Sequence, residues 1–82
     1  MEFYTKHQTL RGTKPDAEIG NKIYLIKNVS QLRLTYQIRM LTYMAQTRGM
    51  RLAIRIPKST VIHQSLLEFV LETNDIIIFE RT

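Results

Sequence analysis

The sequence predicts a small α/β or α+β domain in which a mixed sheet packs against two helices. Three observations lead there. Tyr36–Arg48 and the run after Ser65 carry apolar residues at helical spacing. Met50–Ile56 alternates strictly between apolar residues and the set Arg51, Ala53 and Arg55, the period of a half-buried strand. Turn-forming residues separate these runs at intervals that suit short strands. At 82 residues the chain makes one domain, 1–82, close to the size at which burial only just exceeds chain entropy.

Residues 2–10 mix β-branched, aromatic and polar types without a clean period and read as a weak edge strand. Arg11–Asp16 reads as a turn, where Gly12 and Pro15 interrupt regular structure for separate backbone reasons. Gly20-Asn21 is a second turn signal, so residues 15–29 form a hairpin leading into Ile23–Val29, the most strand-like run in the chain. Thr35 is placed as the N-cap of a helix over Tyr36–Arg48, with Gly49 as its stop and Arg48 opposing the macrodipole in the last turn. Ile38, Leu41 and Ala45 form its buried stripe, with Met40, Tyr43 and Met44 beside it; Gln37, Arg39, Thr42 and Gln46 fall elsewhere. Pro57 ends the Met50–Ile56 strand. Ser65 followed by Glu68 has the spacing of a capping box, and Leu66, Phe69 and Val70 continue as a helical stripe. Asp75 opens a last strand, Ile76–Glu80. The predicted order is strand, hairpin, helix, strand, helix, strand.

Composition narrows the chemistry. Without cysteine there is neither a disulfide framework nor a thiolate zinc site, and a homodimer stays open as another source of stability. His7 and His63 stand alone, with no second ligand at metal spacing. No apolar stretch approaches the ~20 residues that span a bilayer, and no signal-peptide layout is visible. The chain therefore reads as cytoplasmic with no membrane partner, or as a fragment of something larger whose targeting lies elsewhere. Twelve Lys and Arg against seven Asp and Glu give a formal charge of +5. That favours contact with nucleic-acid phosphates or an acidic protein, and equally fits a merely soluble basic domain.

Lys27 is the most informative single residue. It lies in the Ile23–Val29 run, eleven residues after Asp16. A run so apolar suggests a strand covered on both faces, where an unpaired ammonium costs several kcal/mol. Asp16 is its nearest anionic partner in sequence, although Asp16 also suits a plain turn, and Lys27 also suits a snorkelling edge position.

The string Lys14-Pro15-Asp16, nine residues to Leu25-Ile26-Lys27-Asn28-Val29, then Thr35-Tyr36-Gln37-Ile38-Arg39, resembles the restriction-endonuclease-fold toxin domains of bacterial polymorphic toxins. These belong to the PD-(D/E)xK nuclease superfamily. The likeness runs from about residue 11 to 82 and covers Pro-Asp, a hairpin, Lys-Asn-Val, Thr-x-Gln-x-Arg, an amphipathic helix and an Arg-containing strand. It departs at Leu25, which stands where the pattern has Glu.

The resemblance implies a minimal restriction-endonuclease-like core acting on DNA by metal-dependent phosphodiester hydrolysis. It implies Mg²⁺ or Mn²⁺ held by carboxylates, with the lysine orienting water or stabilising charge at the phosphorus. Asp16, Lys27 and Gln37 carry over as catalytic positions and Asp16 as a metal ligand; Glu18, two residues from Asp16, is the nearby carboxylate that could substitute for the missing acid and complete the metal set. Arg39, Arg51 and Arg55 are assigned to nucleic acid. Leucine cannot bind a hard cation, so the expectation is impaired catalysis. The alternatives are a non-catalytic relative that binds nucleic acid or an immunity-type protein, and a small dimeric α/β protein of structural role only. Tyr24, Tyr36 and Tyr43 read as core or interface residues rather than base-stacking platforms.

Overall fold

The structure, a computed structural model, describes residues 15–82. The predicted edge strand over 2–10 lies outside the described residues. The sheet begins as a hairpin. Strand β1 (Ala17–Ile19) pairs antiparallel with β2 (Lys22–Ile26), with Ala17 opposite Tyr24 and Ile19 opposite Lys22. Gly20 supplies the positive φ of 61° that this tight connection requires. The short strand β3 (Gln31–Leu32) and helix α1 (Tyr36–Arg48) follow. Strand β4 (Arg51–Ile56), short strand β5 (Val61–Ile62), helix α2 (Gln64–Glu72) and strand β6 (Ile77–Arg81) complete the order.

The four-stranded sheet runs β1-β2-β4-β6, antiparallel at β1/β2 and parallel at β2/β4 and β4/β6. This is the small mixed α/β architecture that the two helical periods and the alternating strand predict. Each parallel pair is joined through a helix, and both helices share one sheet face. Ile38, Leu41 and Ala45 of α1 and Leu66 and Phe69 of α2 enter the same core as Ile23, Leu25, Leu52, Ile54, Ile56 and Ile77. The other face carries Lys22, Tyr24 and Ile26 of β2, Arg51, Ala53 and Arg55 of β4, and Ile78 and Glu80 of β6. Ala53 is fully buried there between its cross-strand neighbours Tyr24 and Ile78.

Helix α1 begins and ends where the sequence places it. The Ile38 N–H donates to Thr35 Oγ1 at 3.2 Å. Gly49 adopts φ 67°, and the Met50 N–H returns to the Ala45 carbonyl at 2.7 Å, a Schellman closure. Thr42 departs from expectation: it is fully buried within the apolar stripe, and its hydroxyl donates to the Ile38 carbonyl at 2.7 Å. Back-bonding to the preceding turn satisfies the hydroxyl, so a threonine can occupy a core position.

Helix α2 starts one residue before the predicted cap. His63 is the N-cap, and its Nδ1 accepts from the Ser65 N–H at 3.0 Å. The Ser65 hydroxyl donates to the same nitrogen at 2.9 Å and accepts from the Leu34 N–H at 3.1 Å. An imidazole lone pair thus replaces the expected serine oxygen, and Glu68 accepts instead from Gln64. Strand β6 begins at Ile77, after Asn74 and Asp75 turn the chain with φ of 51° and 66°.

The strand β2 ends at Ile26, although the Lys27 N–H extends the ladder by donating to the Arg55 carbonyl at 3.0 Å. Lys27 is half-buried, and among the described residues the strand is covered on one face, where the sequence suggests burial on both. The short parallel pair β3–β5 was not evident in the sequence, since two-residue strands carry no period. It ties together the segments that follow β2 and β4. The Val61 N–H donates to the Ser30 carbonyl and the Thr60 hydroxyl to the Val29 carbonyl.

Gly49 tests the closure of α1. A Cβ there meets nothing within 4 Å, so the cost of Gly49→Ala is purely conformational. Urea denaturation is expected to show a loss of about 1 kcal/mol, the cost of holding alanine in the left-handed region.

Candidate functional site

In open α/β sheets ligands bind beyond the carboxyl ends of the strands. Here that end carries a shallow cleft of about 270 Å³ lined by Ile26, Lys27 and Asn28 after β2, Arg55, Ile56 and Pro57 after β4, and Thr82 after β6. Loop pairing holds its rim. Arg81 Nη1 donates to the Lys58 and Thr60 carbonyls at 2.9 and 2.8 Å, and the Thr82 N–H donates to the Ile56 carbonyl at 2.9 Å.

Two cations reach this cleft. Lys27 makes no ion pair among the described residues. Arg55 lies 5.5 Å above the Tyr24 ring, and its Nε and Nη2 donate to Glu80 Oε1 at 3.3 and 3.0 Å. Glu80 also receives Lys22 at 3.6 Å, so one carboxylate is shared between two cations across the open face. The Arg55 Nη1 has no acceptor among the described residues. The cleft therefore combines two cationic side chains, an amide at Asn28 and a hydroxyl at Thr82, a set suited to an oxyanion.

Asp16 lies at the same end of the sheet through the register of β1 with β2. Its carboxylate is engaged locally: the Ile26 N–H donates to Oδ2 at 2.7 Å, while the Asp16 N–H donates to the Tyr24 carbonyl at 2.9 Å. Asp16 thus closes the open end of the hairpin, and no ion pair joins it to Lys27. Glu18, two residues on in β1, accepts from Arg48 Nη1 at 3.1 and 3.2 Å, beside the end of α1. Leu25, opposite Asp16 by continuation of the register, is buried in the core.

The remaining sequence-assigned residues disperse. Gln37 sits half-buried in the first turn of α1 with no side-chain hydrogen bond among the described residues. Arg39 stacks 5.5 Å over the Phe69 ring and lines the separate groove between α1 and α2, with Glu68 and Glu72. Arg51 opens β4 opposite Lys22, at the far end of the sheet from the cleft. His63 serves as a helix cap rather than standing free. Lys27 and Arg55 thus line one cleft, Lys27 continuing the core-facing set of β2 and Arg55 coming from the open face, while Asp16 lies at the same end and Glu18, Arg39 and Arg51 lie elsewhere. Asn28 and Thr82 escaped the sequence reading; the signal was available in their positions just beyond two parallel strands.

A divalent ion of the kind the resemblance implies needs several hard oxygens converging on one point. Among the described residues no group of three His, Cys, Asp or Glu side chains is so placed. Asp16 has one oxygen committed to Ile26, Glu18 is turned to Arg48, and Leu25 offers no donor. The described residues do not fit the metal. Comparison with known protein families, characterised proteins and solved structures returned no significant match.

The local role of Asp16 has a direct readout. Asp16→Ala removes a charge-assisted acceptor and is expected to lower stability by about 1–2 kcal/mol, discounted for its exposure. Asp16→Asn, which keeps a carbonyl acceptor for the Ile26 N–H, should recover most of that loss in chemical denaturation. Equal losses in the two variants would contradict the assignment.

Proposed function

We propose that this domain is a restriction-endonuclease-like, toxin-type scaffold that holds a nucleic-acid phosphate in the Lys27–Arg55 cleft and hydrolyses phosphodiesters weakly or not at all. The observation that supports this reading is that two cationic residues line one cleft at the carboxyl ends of the parallel strands, Arg55 and Lys27, the latter without an ionic partner among the described residues. The formal charge of +5 adds a long-range attraction for a polyanion.

In this reading the Lys27 ammonium meets a non-bridging phosphate oxygen as a point charge, and Arg55 presents Nη1 while Glu80 and Tyr24 restrain its guanidinium. Asn28 and Thr82 supply further donors at the rim. Nothing in this set distinguishes one base from another, so binding is read as backbone recognition. Impaired hydrolysis follows from Leu25. The side chain at this position packs under α1, and the acid that would complement Asp16 is missing.

Binding is tested with duplex DNA and single-stranded RNA by fluorescence anisotropy across a salt series. Wild-type protein is expected to bind with about micromolar to hundred-micromolar affinity, falling steeply with salt. Lys27→Ala and Arg55→Ala should each weaken binding and reduce the salt slope by about one. Arg51→Ala, at the opposite end of the sheet, should change little. Absence of salt-sensitive binding in wild type would overturn the proposal.

Hydrolysis is tested on supercoiled DNA with Mg²⁺ or Mn²⁺. Wild type is expected to cut poorly or not at all; vigorous cutting abolished by Asp16→Asn would overturn the impaired reading. The Leu25→Glu variant carries its own expectation. Without metal it should lose about 3–5 kcal/mol, because it buries an unpaired carboxylate in the core. Metal-dependent recovery of stability, read as a rise in melting temperature with Mn²⁺, would show that a carboxylate there completes a cation site with Asp16.

A further inference from the structure

The two edges of the sheet are unlike. Among the described residues β1 is three residues long, with Pro15 two positions before it, the blunted form that discourages further pairing. At the other edge, β6 runs five residues, Ile77-Ile78-Phe79-Glu80-Arg81, with no proline, glycine or lysine.

The hydrogen bonds to β4 show which way its backbone groups point. The Ile76 carbonyl accepts from the Leu52 N–H, and the Thr82 N–H donates to the Ile56 carbonyl. Even-numbered residues therefore face β4. Strand alternation directs the N–H and C=O of Ile77, Phe79 and Arg81 outward, where β4 cannot meet them.

The helix beside this edge is apolar on the corresponding side. Phe69 contacts Tyr43 and Arg39, which defines the side of α2 that faces α1. At about 100° per residue, Leu67 and Leu71 fall on the side turned away from α1. They are 47% and 80% exposed. Among the described residues, a strand edge without a neighbour thus runs along a helix flank that presents two leucines to solvent.

We infer that β6 is the docking edge for a second copy of this chain, paired antiparallel about a two-fold axis at Phe79. That register is self-complementary. Phe79 meets its own copy, and Ile77 meets Arg81 of the other protomer, so all three outward residues exchange both backbone bonds. Shifting the axis to Glu80 would set two like charges opposite each other. Pairing at Phe79 instead places Glu80 opposite Ile78, continues the sheet across both copies, and brings the two Leu67–Leu71 flanks together over the junction.

The test combines sedimentation equilibrium with residue-resolved amide hydrogen exchange on the full chain. Wild type is expected to sediment as a dimer at about 100 μM, a concentration that populates even a micromolar complex. The amides of Ile77, Phe79 and Arg81 should be protected. The double variant Leu67→Glu/Leu71→Glu alters only exposed positions; it should be monomeric with an unchanged circular dichroism spectrum and lose protection at those three amides. Ile78→Glu, which sets a second carboxylate opposite Glu80 of the other copy, should act alike. A monomeric wild type, a dimer surviving both variants, or protection of the three amides in the monomer would each overturn the inference.

Discussion

One row of side chains governs this molecule. Ile23 and Leu25 on β2, Leu52, Ile54 and Ile56 on β4, and Ile77 on β6 all point to the same side of the sheet, and both helices lie over them. With the helices on one face there is a single core, and a small domain has no second one to fall back on. Each strand position on that face must therefore be apolar before it can be anything else. The constraint reaches directly into the site, because the residue two before Lys27 belongs to this row. A carboxylate at Leu25 would sit where Ile38 and Leu41 need hydrocarbon. The chain has given that position to the core.

The same geometry explains why charge gathers at the ends of strands and on the uncovered face. Asp16 sits where β1 enters, and its carboxylate closes the hairpin by taking the Ile26 N–H. Lys27 lies two residues beyond Leu25, the last core position of β2, is half-buried, and lines the cleft. On the open face Glu80 lies between Lys22 and Arg55, with Tyr24 beneath the guanidinium. These surface pairs add little to stability individually. Their effect is on orientation: they hold Arg55 beside the cleft rather than free in solvent.

Much of the fold was legible because it rests on local rules. Thr35 and Gly49 bound α1 through backbone groups that any helix leaves unsatisfied. The alternation of β4 revealed its two faces, Arg51 and Arg55 outward and Leu52, Ile54 and Ile56 inward. What escaped was set by partners distant in sequence. The β3–β5 pair exists because two loops meet, and His63 caps α2 because Ser65 is held by Leu34 from another segment. The candidate site was legible only in part for the same reason. Local spacing singled out Asp16 and Lys27, but it could not show that Asp16 bonds Ile26, that Glu18 turns to Arg48, or that Arg39 belongs to another groove. Asn28 and Thr82 became visible only once three strand ends were brought side by side.

The order of the sheet also sets the order in which it can form. Only the β1–β2 hairpin joins strands that are close in sequence; each parallel pairing waits on a crossover through a helix. Closing those loops costs chain entropy before any cross-strand bond repays it. The hairpin can zip early but has little to bury alone, whereas α1 and β4 must arrive together to cover Ile23 and Leu25. Each parallel pairing therefore carries the closure cost of a full helix crossover, which the hairpin does not.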